Sequence, residues 1–172
     1  AYRKQSPERE LLVEELARQA AHPLEVPLVI GGEEIRTSRT ATITAPHDHT
    51  LVLGVAHRAD PAQVQQAIEV ALAAAHDWSR MPWTERVAIF NRAAELLAGP
   101  WRPVLNAATM MALSKSIHQA EIDAAAELID FFRFNAWFLQ PIYAEQPLHH
   151  APGTHNWMEY RPLEGFVFAV TP

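Results

Sequence analysis

The chain has 172 residues, of which 49% are apolar and 20% charged, a composition typical of a folded globular protein rather than a disordered one. Its formal net charge of −6 disfavours a surface that follows the phosphates of DNA or RNA, so we expect no nucleic-acid partner. The absence of cysteine excludes a disulfide framework, a thiolate metal site and a cysteine nucleophile within these residues.

An amino-terminal helix is predicted within residues 1–22. Ser6 offers a capping hydroxyl, Pro7 suits the first helical position, and Glu8 places an acid in the first turn. Apolar side chains then recur along one stripe as far as Pro23, which ends the helical pattern.

Residues 23–57 predict a small β-meander, in which successive strands pair with one another. The apolar run at 26–30 leads into the tight turn Gly31-Gly32, and residues 33–37 return as the second arm of a hairpin. Two more segments of strand-like composition follow, at residues 40–44 and 51–56.

Residues 58–140 are predicted to be helical. Asp60 and Pro61 repeat the arrangement of a cap followed by proline, and apolar residues recur at helical spacing up to Trp78. Further helices are predicted at residues 84–98, closed by Gly99-Pro100, at 101–111 and at 117–139.

The last of these helices contains a crowded aromatic stretch, residues 131–138, which is hydrophobic on more than one side. This pattern indicates a helix that is buried or lies in an interface, and core packing is favoured over a platform on which a ligand would stack. Arg133 within this stretch needs a partner, which is either Asp130, three residues earlier, or the face of a neighbouring ring.

Residues 141–172 predict a loop, at 141–153, and then two strands, at 157–161 and 166–170. The second strand is almost wholly apolar, as in a parallel sheet covered on both faces, so the predicted fold class is α/β. Ligands bind at the carboxyl ends of such strands, so a site would begin at Thr171. Because one parallel strand needs neighbours, we expect the chain to be a truncated part of a larger fold.

No short motif in the chain specifies a reaction, since the glycine-rich nucleotide loops, the zinc-protease motif and the serine-hydrolase motif are all absent. No apolar run approaches the ~20 residues that cross a bilayer, and no hydrophobic signal segment follows the amino terminus. We expect no membrane partner and a cytoplasmic location, or the mitochondrial matrix if the protein is eukaryotic and a transit peptide has been removed.

Histidines and acids are candidates for metal binding and for acid–base chemistry. A metal site is disfavoured, because no paired acids or cysteines stand at ligand spacing beside the loop histidines, which are His47, His49, His149, His150 and His155. On the long helix, Asp123 and Glu127 are four residues apart and can share a face. From the pattern alone, a solvated acidic face that includes Glu121 and Asp130 is favoured over a general acid–base pair.

The segment at residues 119–136 reads QAEIDAAAELIDFFRFNA and resembles the corresponding helix of the monofunctional Δ1-pyrroline-5-carboxylate dehydrogenases of the aldehyde dehydrogenase superfamily. Residues 6–9, 67–74 and 160–167 support the resemblance in the same order, so it covers essentially the whole chain. General aldehyde dehydrogenases share the framework, but their equivalent helix usually lacks the run IDFFRFN at 129–135. The expected fold is the amino-terminal part of the aldehyde dehydrogenase fold, with the first strand of its parallel NAD-binding sheet.

The resemblance implies an NAD-linked oxidation of L-glutamate γ-semialdehyde, the open form of Δ1-pyrroline-5-carboxylate, to glutamate in proline catabolism. In that family a cysteine thiolate attacks the aldehyde, a glutamate activates water and an asparagine helps to hold the oxyanion. None of the three can be placed here, so we expect no catalytic residue in these residues and no activity from them alone. The alternatives are a non-catalytic interaction module and an aldehyde dehydrogenase of other specificity.

Two site residues carry over from the resemblance. Thr171 matches a residue whose backbone would contact NAD, and Glu127 matches a glutamate of the substrate channel that can meet the amino end of the substrate. The meander resembles part of the family's oligomerisation region, which implies a homo-oligomer formed by strand pairing. One departure is Ala112, which stands where the family tends to have a glycine, and it puts the local loop shape in question more than the function.

Overall fold

The computed structural model describes residues 2–171, and its first regular element is the predicted amino-terminal helix, α1 (Pro7–Ala21). The Ser6 hydroxyl accepts a hydrogen bond from the backbone N–H of Arg9 at 3.4 Å, as expected of a residue that caps a helix. The helix ends at His22, whose backbone leaves the helical conformation one residue before Pro23. Both predicted ends of this helix are therefore confirmed.

Five strands follow α1: β1 (Leu24–Val26), β2 (Leu28–Ile30), β3 (Glu33–Ile35), β4 (Thr40–Ala45) and β5 (Asp48–His57). They form a three-stranded sheet in the order β1-β5-β4 and a separate hairpin of β2 and β3. In the larger sheet β5 is central, with β1 parallel and β4 antiparallel to it. The prediction of a simple meander was wrong, because Pro27 divides the apolar run into two strands that join different sheets.

The hairpin turn is where the sequence placed it. Gly31 and Gly32 have φ values of 64° and 84°, and the flanking strands pair Ile30 with Glu33. Two consecutive positive φ angles are typical of the tight turns that match the twist of antiparallel strands. The glycine pair is therefore required by backbone conformation, and this prediction is confirmed.

Three helices follow the strands: α2 (Pro61–Arg80), α3 (Trp83–Ala98) and α4 (Arg102–Leu113). At the start of α2, the Asp60 carboxylate accepts hydrogen bonds from the N–H groups of Ala62, at 2.7 Å, and Gln63, at 3.2 Å. The Gln63 side chain accepts in return from the N–H of Asp60 at 2.8 Å. This reciprocal capping explains why the Asp60-Pro61 pair located the helix start correctly.

The predicted long helix has three parts: α5 (Ile117–Ala120), a π-helical segment (Glu121–Ala126) and α6 (Glu127–Ala144). The π-helical segment was not predicted, because a hydrophobic pattern read at α-helical spacing does not reveal an added residue. The loop was predicted to begin at residue 141, but α6 continues through Pro141 to Ala144, so this boundary was wrong. Proline removes its own N–H but leaves those of later residues free to bond, and Glu145 donates to the Pro141 carbonyl at 2.9 Å.

After α6, the described residues up to 171 contain no hydrogen-bonded strand. The strands predicted at 157–161 and 166–170 are therefore not formed in this part of the structure. A strand is defined by the hydrogen bonds of a neighbouring strand, and none of the described segments pairs with these residues. The apolar side chains of Val167, Phe168 and Val170 are 79–82% exposed.

A small apolar core lies where α3 packs on the long helix. Ala94 of α3 is fully buried against Ala125 and Ile129, with Leu97 and Phe132 around them. The alanines allow the two helix backbones to approach closely. This core holds the π-helical segment and the start of α6 in place on one side.

The left-handed residue at the end of α4 is Ser114 rather than a residue at position 112. Ala112 lies inside α4, whereas Ser114 has a φ of 54°. The expectation that losing a glycine at position 112 alters a permissive turn is therefore wrong. Conformational freedom is required two residues later, where the helix terminates.

Replacing Ser114 with glycine is expected to raise the free energy of unfolding by about 0.5–1 kcal/mol, because glycine adopts positive φ without a Cβ clash. The hydrogen bond between Ser114 and His47 lies on the surface and offsets little of this gain. Ala112→Gly is the matched control and should lower the same quantity by about 0.5–1 kcal/mol. Urea denaturation measures both, and equal signs for the two variants would contradict the assignment.

Candidate functional site

Glu127 is the first residue of α6 and follows the π-helical segment directly. Its side chain is exposed and makes no hydrogen bond or ion pair with another residue in the described range 2–171. Asp123, by contrast, forms an exposed ion pair with Lys115 at 2.5 Å. The structure therefore supports the solvated interpretation of Asp123 and leaves the Glu127 carboxylate available to a ligand.

A partly buried polar cluster adjoins the start of the π-helical segment. We call it the Glu121 clamp, and it consists of Glu121, Arg102, Asn106 and Tyr2. Glu121 accepts from the Tyr2 hydroxyl at 2.8 Å and from the Asn106 amide at 2.7 Å. The Arg102 guanidinium donates to both carboxylate oxygens. One carboxylate is thereby tied to the amino-terminal segment and to α4.

The expectation that Glu121 belongs to a solvated acidic face is wrong. Its side chain is 22% exposed, and Asn106 is fully buried. Buried polar groups require hydrogen-bond partners, and here these come from distant parts of the sequence. A sequence signal was present in Asn106, a polar residue on the inward face of an otherwise apolar helix.

The electrostatics of the clamp fix its charge states. Burial alone would raise the pKa of Glu121, but hydrogen bonds from Arg102, Tyr2 and Asn106 stabilise the carboxylate and bring its pKa below the ordinary value. Burial raises the pKa of Tyr2, and its hydrogen bond to Glu121 raises it further. The hydrogen bond to Glu121 likewise raises the pKa of Arg102. At neutral pH the clamp therefore contains an ion pair and a neutral phenol.

A cavity of about 560 Å³ opens beside the clamp, lined by Tyr2, Glu8, Ala98, Arg102, Ile117, His118 and Glu121. The charged groups of the clamp that face it are already paired with each other. The cavity thus offers no unpaired buried charge that would select a ligand.

Thr171 lies at the end of the exposed segment that follows α6. No hydrogen bond or ion pair within residues 2–171 joins it to Glu127, and its backbone makes no hydrogen bond to another described residue. The two residues singled out by resemblance therefore lie on separate elements, one on a helix and one on an unpaired segment.

The remaining candidates have structural roles or none. His47 contacts Ser114 at 2.8 Å and His150 stacks on His155, and residues 2–171 contain no group of three metal-binding side chains. In the aromatic stretch, Phe132 packs beside the core, whereas Phe131, Phe134, Trp137 and Phe138 are 51–62% exposed. Core packing is therefore not observed for these four, and their role in an interface stays a prediction. Within residues 2–171, Arg133 forms neither of its predicted contacts, an ion pair with Asp130 or stacking on a ring.

Among the described helices, none combines the length and the apolar composition needed to span a bilayer.

The family model described as the aldehyde dehydrogenase family matches residues 34–172, which is most of the chain. This chain belongs to the aldehyde dehydrogenase family. The match begins within the hairpin and includes every helix from α2 onwards. It agrees with the resemblance found in residues 119–136 and with an α/β fold that forms the amino-terminal part of an aldehyde dehydrogenase.

Among individual members of the family, the chain is similar to proteins named Δ1-pyrroline-5-carboxylate dehydrogenase. The protein from Agaricus bisporus is 49% identical over 173 residues, which cover 100% of this chain and 32% of that protein. The mitochondrial protein from Bos taurus is 44% identical, again over 100% of this chain, with 30% of its own length covered. The chain therefore spans about a third of the length of these relatives.

The solved aldehyde dehydrogenases include close structural matches. The Δ-pyrroline-5-carboxylate dehydrogenase from Mycobacterium tuberculosis, in a structure with bound NAD, has a TM-score of 0.92 and 47% identity. The match covers 96% of this chain and 31% of that one. A mutant of the 1-pyrroline-5-carboxylate dehydrogenase from Thermus thermophilus has a TM-score of 0.78 and 29% identity, with 87% of this chain and 29% of that one covered.

Proposed function

We propose that the intact protein oxidises L-glutamate γ-semialdehyde, the open form of Δ1-pyrroline-5-carboxylate, to glutamate with NAD, as a step of proline catabolism. The observation that carries the proposal is the 47% identity and 0.92 TM-score to a Δ-pyrroline-5-carboxylate dehydrogenase with bound NAD. The cysteine nucleophile expected of the family is absent from the 172 residues. These residues alone are therefore expected to be inactive and to supply a scaffold and parts of two binding sites.

Glu127 is proposed to bind the amino group of the semialdehyde. Its carboxylate is exposed and has no partner in the described part of the chain, so it can accept a hydrogen bond from an ammonium ion. When the remainder of an active site excludes water, the attraction between the two charges strengthens because the local dielectric falls. Selectivity for an amino-acid aldehyde over a simple aldehyde follows from this contact.

Thr171 is proposed to contact NAD through its backbone. Two observations support this contact with NAD: Thr171 is exposed, and its backbone groups make no hydrogen bond to residues 2–170. A free N–H and carbonyl can pair with the polar edge of a cofactor at a strand end. When bound, NAD accepts the hydride released from the substrate.

A homo-oligomer formed by strand pairing is proposed from the shape of the β2-β3 hairpin. This sheet has two described strands, and Val29 on it is 69% exposed. A two-stranded ribbon with free edges gains stability when another strand joins it.

The proposed location is the cytoplasm, or the mitochondrial matrix if the protein is eukaryotic, in keeping with the relatives from Bos taurus and Emericella nidulans that are named as mitochondrial.

The proposal is tested on the intact enzyme by comparing the natural protein with Glu127→Gln in an assay of NAD reduction. The natural enzyme should reduce NAD with L-glutamate γ-semialdehyde, and in the variant the KM for this substrate should be higher by about tenfold or more. Loss of a hydrogen bond between charged groups costs about 1.5–3 kcal/mol, and each 1.4 kcal/mol corresponds to a factor of about ten. The KM for NAD should not change.

Asp123→Asn is the matched control, because it makes the same chemical change on the same helix at an acid already paired with Lys115. It should leave both KM values unchanged. An enzyme that oxidises simple aldehydes equally well would indicate an aldehyde dehydrogenase of other specificity. Absence of any NAD reduction by the intact protein would indicate a non-catalytic module.

A further inference from the structure

The direction in which Glu127 projects is set by the helix geometry immediately before it. An α-helix turns by about 100° per residue, and a π-helical turn contains one additional residue. Every residue after a π-helical segment is therefore rotated about the helix axis by about 100°, relative to an uninterrupted α-helix. Glu127 is the first residue after the segment, and its own N–H bonds to the carbonyl of Ile122, five residues earlier.

The Glu121 clamp holds the other end of the same segment. Glu121 is its first residue, and all three of its side-chain partners come from outside the helix. Asn106 also donates to the Tyr2 hydroxyl at 2.8 Å, so the partners are connected to each other. A carboxylate held by donors from α4 and from the amino-terminal segment has little freedom to rotate about the helix axis.

The Glu127 side chain has no such restraint of its own. It is exposed and unbonded within the described residues, so its direction follows from the backbone that carries it. The apolar core fixes Ala125 and Ile129 on one side of the helix, and the clamp fixes Glu121 at the start. The π-helical segment, residues 121–126, begins at the clamp and contains Ala125 of the core, so both attachments hold it.

We infer that Glu121 is a positioning residue for substrate binding, which acts through Glu127 by holding the π-helical segment in register. This inference rests on the proposed function, because it assumes that Glu127 binds the substrate's amino group. Without the clamp, the segment can relax toward regular α-helix, and the Glu127 carboxylate then moves away from the ammonium ion. Small displacements of a group that contacts the substrate reduce binding substantially.

The test uses Glu121→Gln in the intact enzyme, with steady-state constants for two substrates. The variant keeps the shape of the side chain but removes the charge that Arg102 pairs with. The KM for L-glutamate γ-semialdehyde should rise about tenfold, whereas kcat and the KM for NAD should change by less than about twofold. The five-carbon semialdehyde that lacks the α-amino group should show no change, because it makes no contact that depends on Glu127.

The double variant Glu121→Gln/Glu127→Gln distinguishes positioning from a general structural role. If Glu121 acts through Glu127, the double variant should have the same semialdehyde KM as Glu127→Gln alone. Additive effects on KM, or a loss of thermal stability in Glu121→Gln without a change in KM, would overturn the inference. If Glu127→Gln alone leaves the semialdehyde KM unchanged, the proposed function of Glu127 fails, and this outcome is separate from a failure of Glu121 alone.

Tyr2→Phe provides a milder variant in case Glu121→Gln does not fold. It removes one donor to Glu121 and the acceptor of one Asn106 bond, and it leaves the Arg102 ion pair intact. The KM for L-glutamate γ-semialdehyde should rise about threefold, with the amine-lacking semialdehyde unaffected. A Tyr2→Phe enzyme with unchanged KM for both substrates would count against the inference.

Discussion

Replacing Gly54 with alanine is expected to lower the free energy of unfolding by about 2–3 kcal/mol and to detach β1 from the sheet. Gly54 lies in the central strand β5, where it pairs with Leu24 of β1 and with Ile43 of β4. A Cβ atom added there would lie 2.4 Å from the Leu24 carbonyl oxygen, which is backbone and cannot move aside alone. The intact protein should show a lower denaturation midpoint and faster amide exchange in residues 24–26.

Gly32→Ala is the control for this prediction. Nothing lies within 4 Å of a Cβ added at Gly32, so the only cost is that of its positive φ, 84°. That cost is about 1 kcal/mol, and amide exchange in β1 should not change. Equal destabilisation by the two variants would mean that the close approach of β1 to β5 does not restrict residue 54.

Replacing Arg102 with methionine is expected to destabilise the protein by about 2 kcal/mol at neutral pH. Methionine keeps much of the apolar length but leaves the Glu121 carboxylate without its cation. Removing one partner of a fully buried ion pair costs about 3–5 kcal/mol. The expected loss is smaller here because the Arg102 and Glu121 side chains are 36% and 22% exposed, and water screens part of the interaction.

The effect of Arg102→Met should depend on pH in one direction. The folded-state pKa of Glu121 lies below its ordinary value of 4.5, so the ion pair contributes stability that is fully present above that value. The contribution is lost as the pH falls through the folded-state pKa, because Glu121 then becomes neutral. The difference in stability between the natural protein and the variant should therefore be constant from pH 7 to about 5 and shrink below pH 4.5.

Arg92→Met is the matched control for charge removal. Arg92 forms an ion pair with Glu95 at 3.0 Å, but the two side chains are 69% and 63% exposed. Exposed pairs contribute about 0–1 kcal/mol, so this variant should change the denaturation midpoint little at any pH. A pH-independent loss in Arg102→Met would show that its packing, rather than its charge, stabilises the fold.

Of the candidate site, the sequence could reveal Glu127, because the signal for this residue lies in one continuous segment. Glu127 was selected because the run at 119–136 resembles a helix of a known family, and the structure leaves its carboxylate exposed and unpaired within the described residues. Glu121 stands in the same run and was assigned to a solvated face. Its partners Tyr2 and Arg102 are 119 and 19 residues away in sequence, so spacing along one helix could not reveal them.

The same distinction between local and distant interactions explains the outcome for the fold. The sequence by itself determined the starts of α1 and α2 and the Gly31-Gly32 turn, because caps and tight turns depend on residues within one turn of each other. Only the tertiary structure decided that β1 pairs in parallel with β5, thirty residues later. It also decided that a π-helical segment precedes Glu127, since both features depend on which distant groups come into contact.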